Sequence, residues 1–391
     1  MIRSERESKL FQVIAQQTLG RADLVWLAKN NRECLDWSAA AQSAFDEGIA
    51  PLLYYHCRNM NIFEAIPEST KKFLARTYAE TSLINRHLLQ EMTDLEKALE
   101  KRDIQVIVLK GAALLNTVYR DVALRPMEDI DLMVRPEHLE ELKAVFAGMG
   151  FTPDKLYPYT FKRGIITLDL HNDYLSTHRV RSRQAVAAIR FEDVWARAIP
   201  ISPDHGYLLK LSIYDELIAQ AFHLLKHRFN RLIWFVDIRE SIENHKDAFD
   251  WVEFIRRCRG FRAQRVVLYM LLLARRLLAM DVPDHVLNSL GKDDLSPVEI
   301  MLLRLRIANF SPRVLTDLLW LFQILGFKSL ISFIIENFYP RKEIMKQIFP
   351  DAKRPFPIAA GWQRFTDIAS MGLSDMLSAL KTLSKGNLPH L

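Results

Sequence analysis

The sequence predicts an α+β fold, a small strand-bearing core flanked by N-terminal and C-terminal helical regions. Three observations predict it. Residues 1–100 carry apolar side chains at helical spacing. From residue 104 to 171 short β-branched runs alternate with helical stretches in the order β-α-β-α-β-β. From about residue 207 the pattern is helical again, to about residue 384. These changes of texture divide the chain into 1–103, 104–206 and 207–391.

In the first region "RHLLQEMTDLEKALEKRD" (86–103) places Leu88, Met92, Leu95 and Leu99 on one helix face. Gly48 and Pro51 separate two earlier helices, and Pro67 starts another. "IQVIVL" reads as a buried strand ending in a turn at Lys110-Gly111. "AALLNTVYR" reads as a helix, and "VALRP" as a loop, because Pro126 disfavours helix at Arg125. "DIDLMV" is a second strand, and "PEHLEELKAVFAGMGF" a helix with Pro136 in its first turn. "YTFKRGIITLDLH" reads as a hairpin turning at Arg163-Gly164. The stretch 172–203 shows no clear pattern. "SIYDELIAQAFHLLKHR" then opens a helix with Ser212 and Asp215 at capping-box spacing, Asp standing in for the usual Glu or Gln. Further helices run to about 338. A proline-punctuated connector with one short helix follows, then a last helix over about 360–384 and a loose tail, "KGNLPHL".

Composition sets outer bounds. The chain has 391 residues, 49% of them hydrophobic, so it can bury a sizeable core. Its formal charge of +6 is a mild excess for this length and fits an ordinary surface as well as a nucleotide or nucleic-acid patch. Cys34, Cys57 and Cys258 are far apart and odd in number, which fits a reducing, cytoplasmic setting and neither a disulfide framework nor a zinc pattern. The N-terminus is charged and lacks the apolar run of a signal peptide. The most hydrophobic stretch, 318–338, is interrupted by Gln323, Lys328, Ser329 and Ser332. It reads as a buried or amphipathic helical region, with membrane-surface or partner binding as the alternative to be weighed, and not as a membrane span.

The chemistry concentrates in "VIVLKGAALLNTVYRDVALRPMEDIDLMV" (106–134). Asp129 and Asp131 are two residues apart beside a strand, so their carboxylates point to the same side. Without a counter-ion they repel, and one pKa rises. A divalent cation removes that conflict, and Mg²⁺ is commonly held by one or two carboxylates plus substrate phosphates. Asp169 lies in a later strand between Leu168 and Leu170. If that strand lies beside the first pair, three acids meet and can hold two metal ions. Gly111 closes a strand and opens a helix, where free backbone N–H groups suit phosphate. Lys110 adds a positive charge there, and Arg125 is a second candidate for phosphate.

The ordered set "LKGAAL", "LRPMEDIDLMV" and "LDLH" resembles the nucleotidyltransferase superfamily with the DNA polymerase β-like fold. More closely it resembles a bacterial group known as uncharacterised nucleotidyltransferases, which share the downstream "AFHLLKHRFNRLIWFVDI". The likeness covers most of residues 45–245. It implies a mixed sheet flanked by helices, with two Mg²⁺ ions (Mn²⁺ as a substitute) on Asp129, Asp131 and Asp169. It implies transfer of a nucleoside monophosphate from an NTP to a hydroxyl acceptor, with Asp169 also activating that hydroxyl and Gly111 at the phosphate turn. The acceptor could be a small molecule, a protein or an RNA end. The wider superfamily has Gly-Ser at this turn where this chain has Gly111-Ala112, and Lys110 is the candidate replacement for the missing hydroxyl.

His223 and His227 are four apart and share a helix face. They read either as contacts to nucleotide, acceptor or metal, or as a polar seam against the sheet. His171 follows Asp169 by two and points the same way, in a supporting role behind the metal ligands. Asp237 and Arg231 read as a structural ion pair. Two other functions fit parts of the pattern. A catalytically impaired relative would keep the fold as a nucleotide-binding module. A D-x-D sugar transferase would need a longer α/β nucleotide domain ahead of the acids than the single strand found there.

Overall fold

The computed structural model describes residues 5–19, 23, 26, 36–59, 63–171, 173–175, 186–202, 206–310, 312–324, 327–338, 342–348, 358–384 and 391. The helices α1 (Glu5–Ile14), α2 (Trp37–Asp46), α3 (Ala50–Asn59) and α4 (Glu68–Glu100) precede the sheet. Gly48 sits between α2 and α3 with φ +76°, a left-handed turn that glycine adopts without strain. A Cβ there would also press on Ile233. Pro67 caps the start of α4, which buries Leu88, Met92, Leu95 and Leu99 as their spacing predicts.

Seven strands form one mixed sheet: β1 (Val106–Leu109), β2 (Ile130–Val134), β3 (Thr152–Pro153), β4 (Thr160–Arg163), β5 (Ile166–His171), β6 (Ile199–Pro200) and β7 (Leu208–Lys210), in the order β3-β4-β5-β2-β1-β7-β6. The predicted α+β class is the observed one. β1 and β2 are buried on both faces, which explains their unbroken apolar runs. β1 pairs antiparallel with β2, bringing Leu109 opposite Asp131. β5 pairs parallel with β2, bringing Asp169 opposite Asp131.

Alternation along the strands splits the core. Val106, Val108, Ile130, Leu132 and Leu168 pack against α4 and α6 (Leu139–Gly148). Ile107, Leu109, Met133 and Leu209 pack in a second cluster with the N-terminal helices and with α8 (Ile213–Lys226), α9 (Leu232–Asn244) and α11 (Gln264–Leu278). Between them in the chain lie α5 (Lys110–Thr117), α7 (Phe191–Trp195) and α10 (Trp251–Gly260). Asp131 therefore faces the side of the sheet that α8 covers.

Several expectations need correction. The chain does not turn helical at 207, because Leu208–Lys210 extends the sheet beside β1. Three residues are too few for periodicity to declare a strand. α5 begins at Lys110, and "VALRP" contains a 3-10 turn, Val122–Leu124, capped by Asp121. No capping box forms at Ser212. Its hydroxyl donates to Asp215 Oδ2 (2.8 Å), while buried Asp215 is held by Arg197 and Arg257, each at 2.8 Å. A full capping box does form at Ser296 and Glu299, ahead of the helix Pro297–Ile307.

The stretch 318–338 is a 3-10 turn, Leu318–Trp320, followed by the helix Phe327–Phe338. Among the described residues no helix is long and apolar enough to cross a membrane. The connector carries the expected short helix, Lys342–Ile348, and the last helix spans Ile358–Ser384. The rest of the connector, most of the tail and Cys34 lie outside the described residues. Cys57 and Cys258 are buried free thiols.

Candidate functional site

The site is built where β1 ends and β2 begins, beside β5 and the start of α5. Parallel pairing puts Asp131 and Asp169 side by side on one face, and His171 two residues further along β5 points the same way. Ligand atoms of Asp131, Asp169 and His171 all lie within 4.8 Å of one another. Asp129 stands just ahead of β2, exposed at the rim and outside that tight group.

Asp131 is the buried centre. Its Oδ1 lies 2.6 Å from the Lys110 ammonium and 2.6 Å from His171 Nε2. A carboxylate only accepts, so Nε2 carries the proton and donates. Burial alone would raise the Asp131 pKa, but the Lys110 charge and the His171 hydrogen bond together hold it well below the usual carboxylate range. Both donors use Oδ1. Asp169 Oδ1 accepts from Thr160 Oγ1 (2.7 Å), and its Oδ2 lies 3.8 Å from His171 Nε2. Although the residue is exposed at the rim, Asp129 is pushed up to about 6, first by the protein packed around its carboxyl and then by Asp131. One acid is thus forced upward by desolvation and by Asp131, while its neighbour is held down by a lysine and a histidine.

Lys110 points into the site, on the acids. Its backbone is left-handed (φ 54°), a strained choice for any residue but glycine. That conformation turns the chain from β1 into α5 and swings the ammonium to Asp131.

Gly111 and Arg125 differ from expectation in what they do. A Cβ on Gly111 would overlap the Arg125 guanidinium, so the glycine makes room for an arginine. Arg125 is buried and donates from Nη2 to Asp237 Oδ2 (2.9 Å), from Nε to Asp237 Oδ1 (3.3 Å) and from Nη1 to the Pro126 carbonyl (3.1 Å). Tyr119 also donates to Asp237 (2.7 Å), and Asn85 to the Arg125 carbonyl (2.8 Å). Arg125 is thus a strut beneath the turn at Gly111, its donors directed at protein. The expected Asp237–Arg231 pair is not formed. Asp237 holds Arg125, and Arg231 lies 3.5 Å from Glu128. Ala112 is buried in the core on the α4 side of the sheet and offers no polar side-chain atom.

His223 and His227 pack ring to ring (centroids 4.5 Å) and against Trp234. Burial lowers the pKa of both, His227 to about 4, with the Lys110 and Lys226 charges adding to it. They are neutral near pH 7. Beside them a cleft opens between the end of β1 and α8, lined by Lys110, Glu216, Gln220 and His223 among others. Glu216 and Gln220 escaped notice in the sequence. The signal was there: 216, 220, 223 and 227 are polar positions at helical spacing along one face of this segment.

The family described as uncharacterised nucleotidyltransferase matches residues 33–279, well over half of the chain. No curated protein and no solved structure matches it.

Proposed function

The chain belongs to the uncharacterised nucleotidyltransferase family, and on that premise we propose that it transfers a nucleoside monophosphate from an NTP to a hydroxyl acceptor, releasing pyrophosphate. The observation that carries the reading is the register of β2 on β5, which sets Asp131 beside Asp169 with His171 in the same group.

The donor set suits Mg²⁺, a hard cation that takes carboxylate oxygens and substrate phosphates. Asp129, Asp131 and Asp169 would hold two such ions, with Mn²⁺ as a substitute, and the bound metal would supply charge neutralisation at the triphosphate. The chain's own groups do the rest. His171 fixes the orientation of Asp131 through its Nε2–H. Thr160 does the same for Asp169. Lys110, which neutralises Asp131 while no nucleotide is present, moves its ammonium onto phosphate when the substrate enters. The acceptor hydroxyl oxygen attacks the α-phosphorus, its proton goes to Asp169, and the bond to the β-phosphate oxygen breaks with that electron pair leaving on pyrophosphate. The acceptor is a small molecule, a protein or an RNA end. The setting is cytoplasmic.

The test is incubation with each labelled NTP, Mg²⁺ or Mn²⁺, and a cell extract, read as labelled product and released pyrophosphate, with Asp131→Asn as control. Label transfer that survives Asp131→Asn sinks the assignment. A second reading has one observation behind it, Ala112 where the superfamily carries serine. On that reading the protein binds NTP without turnover, and the experiment would show binding with no pyrophosphate.

A further inference from the structure

The cleft between β1 and α8 shares Lys110 with the acid group but extends away from it, and the transfer chemistry does not use its inner wall. It is open on one side and narrow inside, with about 20 Å³ of free interior, so a base would have to part its walls. Leu109, Leu211 and Tyr174 form apolar walls. The Tyr174 hydroxyl donates to the Asp215 carbonyl, so its ring is what it offers the cleft. Glu216, Gln220 and His223 bring polar atoms to the same space from successive turns of α8.

Two of those atoms are anomalous. Gln220 Oε1 and His223 Nδ1 are buried and have no hydrogen-bond partner among the described residues. Each unmet buried polar atom is costly, and such atoms in a cleft mark a place for a ligand's complementary groups. Gln220 Nε2 donates to Glu216 Oε1 (3.0 Å), which fixes the amide with Oε1 as the open acceptor.

We propose that this cleft is the nucleobase pocket of the transferase, and that Gln220 and Glu216 read a base whose edge pairs an exocyclic amino group with a ring nitrogen acceptor, as in adenine and cytosine. The inference rests on the transferase reading. The amino group would donate to Gln220 Oε1, and the Glu216 carboxyl would donate to the ring nitrogen. Burial supports the second contact. It pushes Glu216 up to about 8, partly offset by Lys210, so the carboxyl keeps its proton at neutral pH. Apolar walls with a polar end match a planar base, which proteins read by stacking its faces and hydrogen-bonding its edge. Lys110, at the mouth, joins the base end to the phosphate end.

The experiment is titration calorimetry of the full chain with Mg²⁺ and ATP, CTP, GTP, UTP or tripolyphosphate. The expected result is that ATP or CTP binds about tenfold or more tighter than GTP, UTP and tripolyphosphate. Gln220→Leu should bring that nucleotide to within about threefold of tripolyphosphate, while tripolyphosphate itself binds the variant as before. Glu216→Gln, which keeps a neutral donor, should preserve the preference, and Glu216→Leu should lose it. Equal affinity for all five ligands overturns the proposal, as does preference for GTP or UTP, or loss of preference in Glu216→Gln. Adenosine, cytidine and guanosine without metal probe the cleft apart from the phosphates. Selective nucleoside binding with no tripolyphosphate binding defeats the transferase site and leaves the pocket standing. Tripolyphosphate binding with no base selectivity defeats the pocket alone, and neither kind of binding defeats both.

Discussion

Replacing Lys110 by alanine and, separately, by glycine divides two effects of one residue. Its ammonium lies 2.6 Å from Asp131 Oδ1, and its side chain is 23% exposed. Hydrogen bonds between charged groups contribute about 1.5–3 kcal/mol, and partial exposure places this one near the lower end, about 1.5 kcal/mol. Its backbone is left-handed, which costs a non-glycine residue about 1 kcal/mol. Alanine loses the ion pair and keeps the strain, so the chain without nucleotide should lose about 1.5 kcal/mol. Glycine loses the pair but relieves the strain, for a net loss of about 0.5 kcal/mol. Urea unfolding followed by circular dichroism should therefore rank wild type, then glycine, then alanine. Both variants should weaken binding of NTP with Mg²⁺ by about tenfold to a hundredfold, because both lack the ammonium. Identical stability of the two variants would refute the strain argument. Wild-type nucleotide affinity in either would remove Lys110 from the phosphates.

Other consequences are open to measurement. Asp169→Asn should abolish nucleotide-dependent pyrophosphate release and leave the circular dichroism spectrum unchanged; retained turnover would contradict its place in the site. Asp237→Asn leaves the Arg125 charge buried without its counter-ion, so thermal or urea unfolding should show a loss of about 3–5 kcal/mol, and a loss below about 1 kcal/mol would show that the strut carries little load. Glu216 titrates from its ordinary 4.5 up to about 8 in the fold. Between those values the unfolded chain releases the proton and the folded chain keeps it, so this group makes stability fall as pH rises from about 4.5 to about 8 and level off above. Glu216→Gln should flatten that decline and gain a few kcal/mol on wild type, to order of magnitude, near pH 8; parallel stability–pH curves would show Glu216 ionised in the fold.

What the sequence determined by itself was whatever repeats over a few residues. Helical spacing located α4 and its buried Leu88, Met92, Leu95 and Leu99, and β-branched runs located β1, β2 and the hairpin. The order of motifs identified the family. Such features follow from backbone geometry and side-chain period, which act within one element. Tertiary structure decided every partnership between elements. Pairing of β5 with β2 set Asp169 opposite Asp131, and a strand as short as Leu208–Lys210 exists only because β1 offers it an edge. Arg125 pairs with Asp237, far along the chain, because both are buried together and a buried charge needs a counter-ion at hand. Lys110 turned inward because a left-handed residue redirects its side chain, a conformation that no pattern of residue types encodes for lysine. The cleft with Glu216 and Gln220 is likewise a property of α8 docked on the end of β1, since an enclosed space belongs to neither element alone.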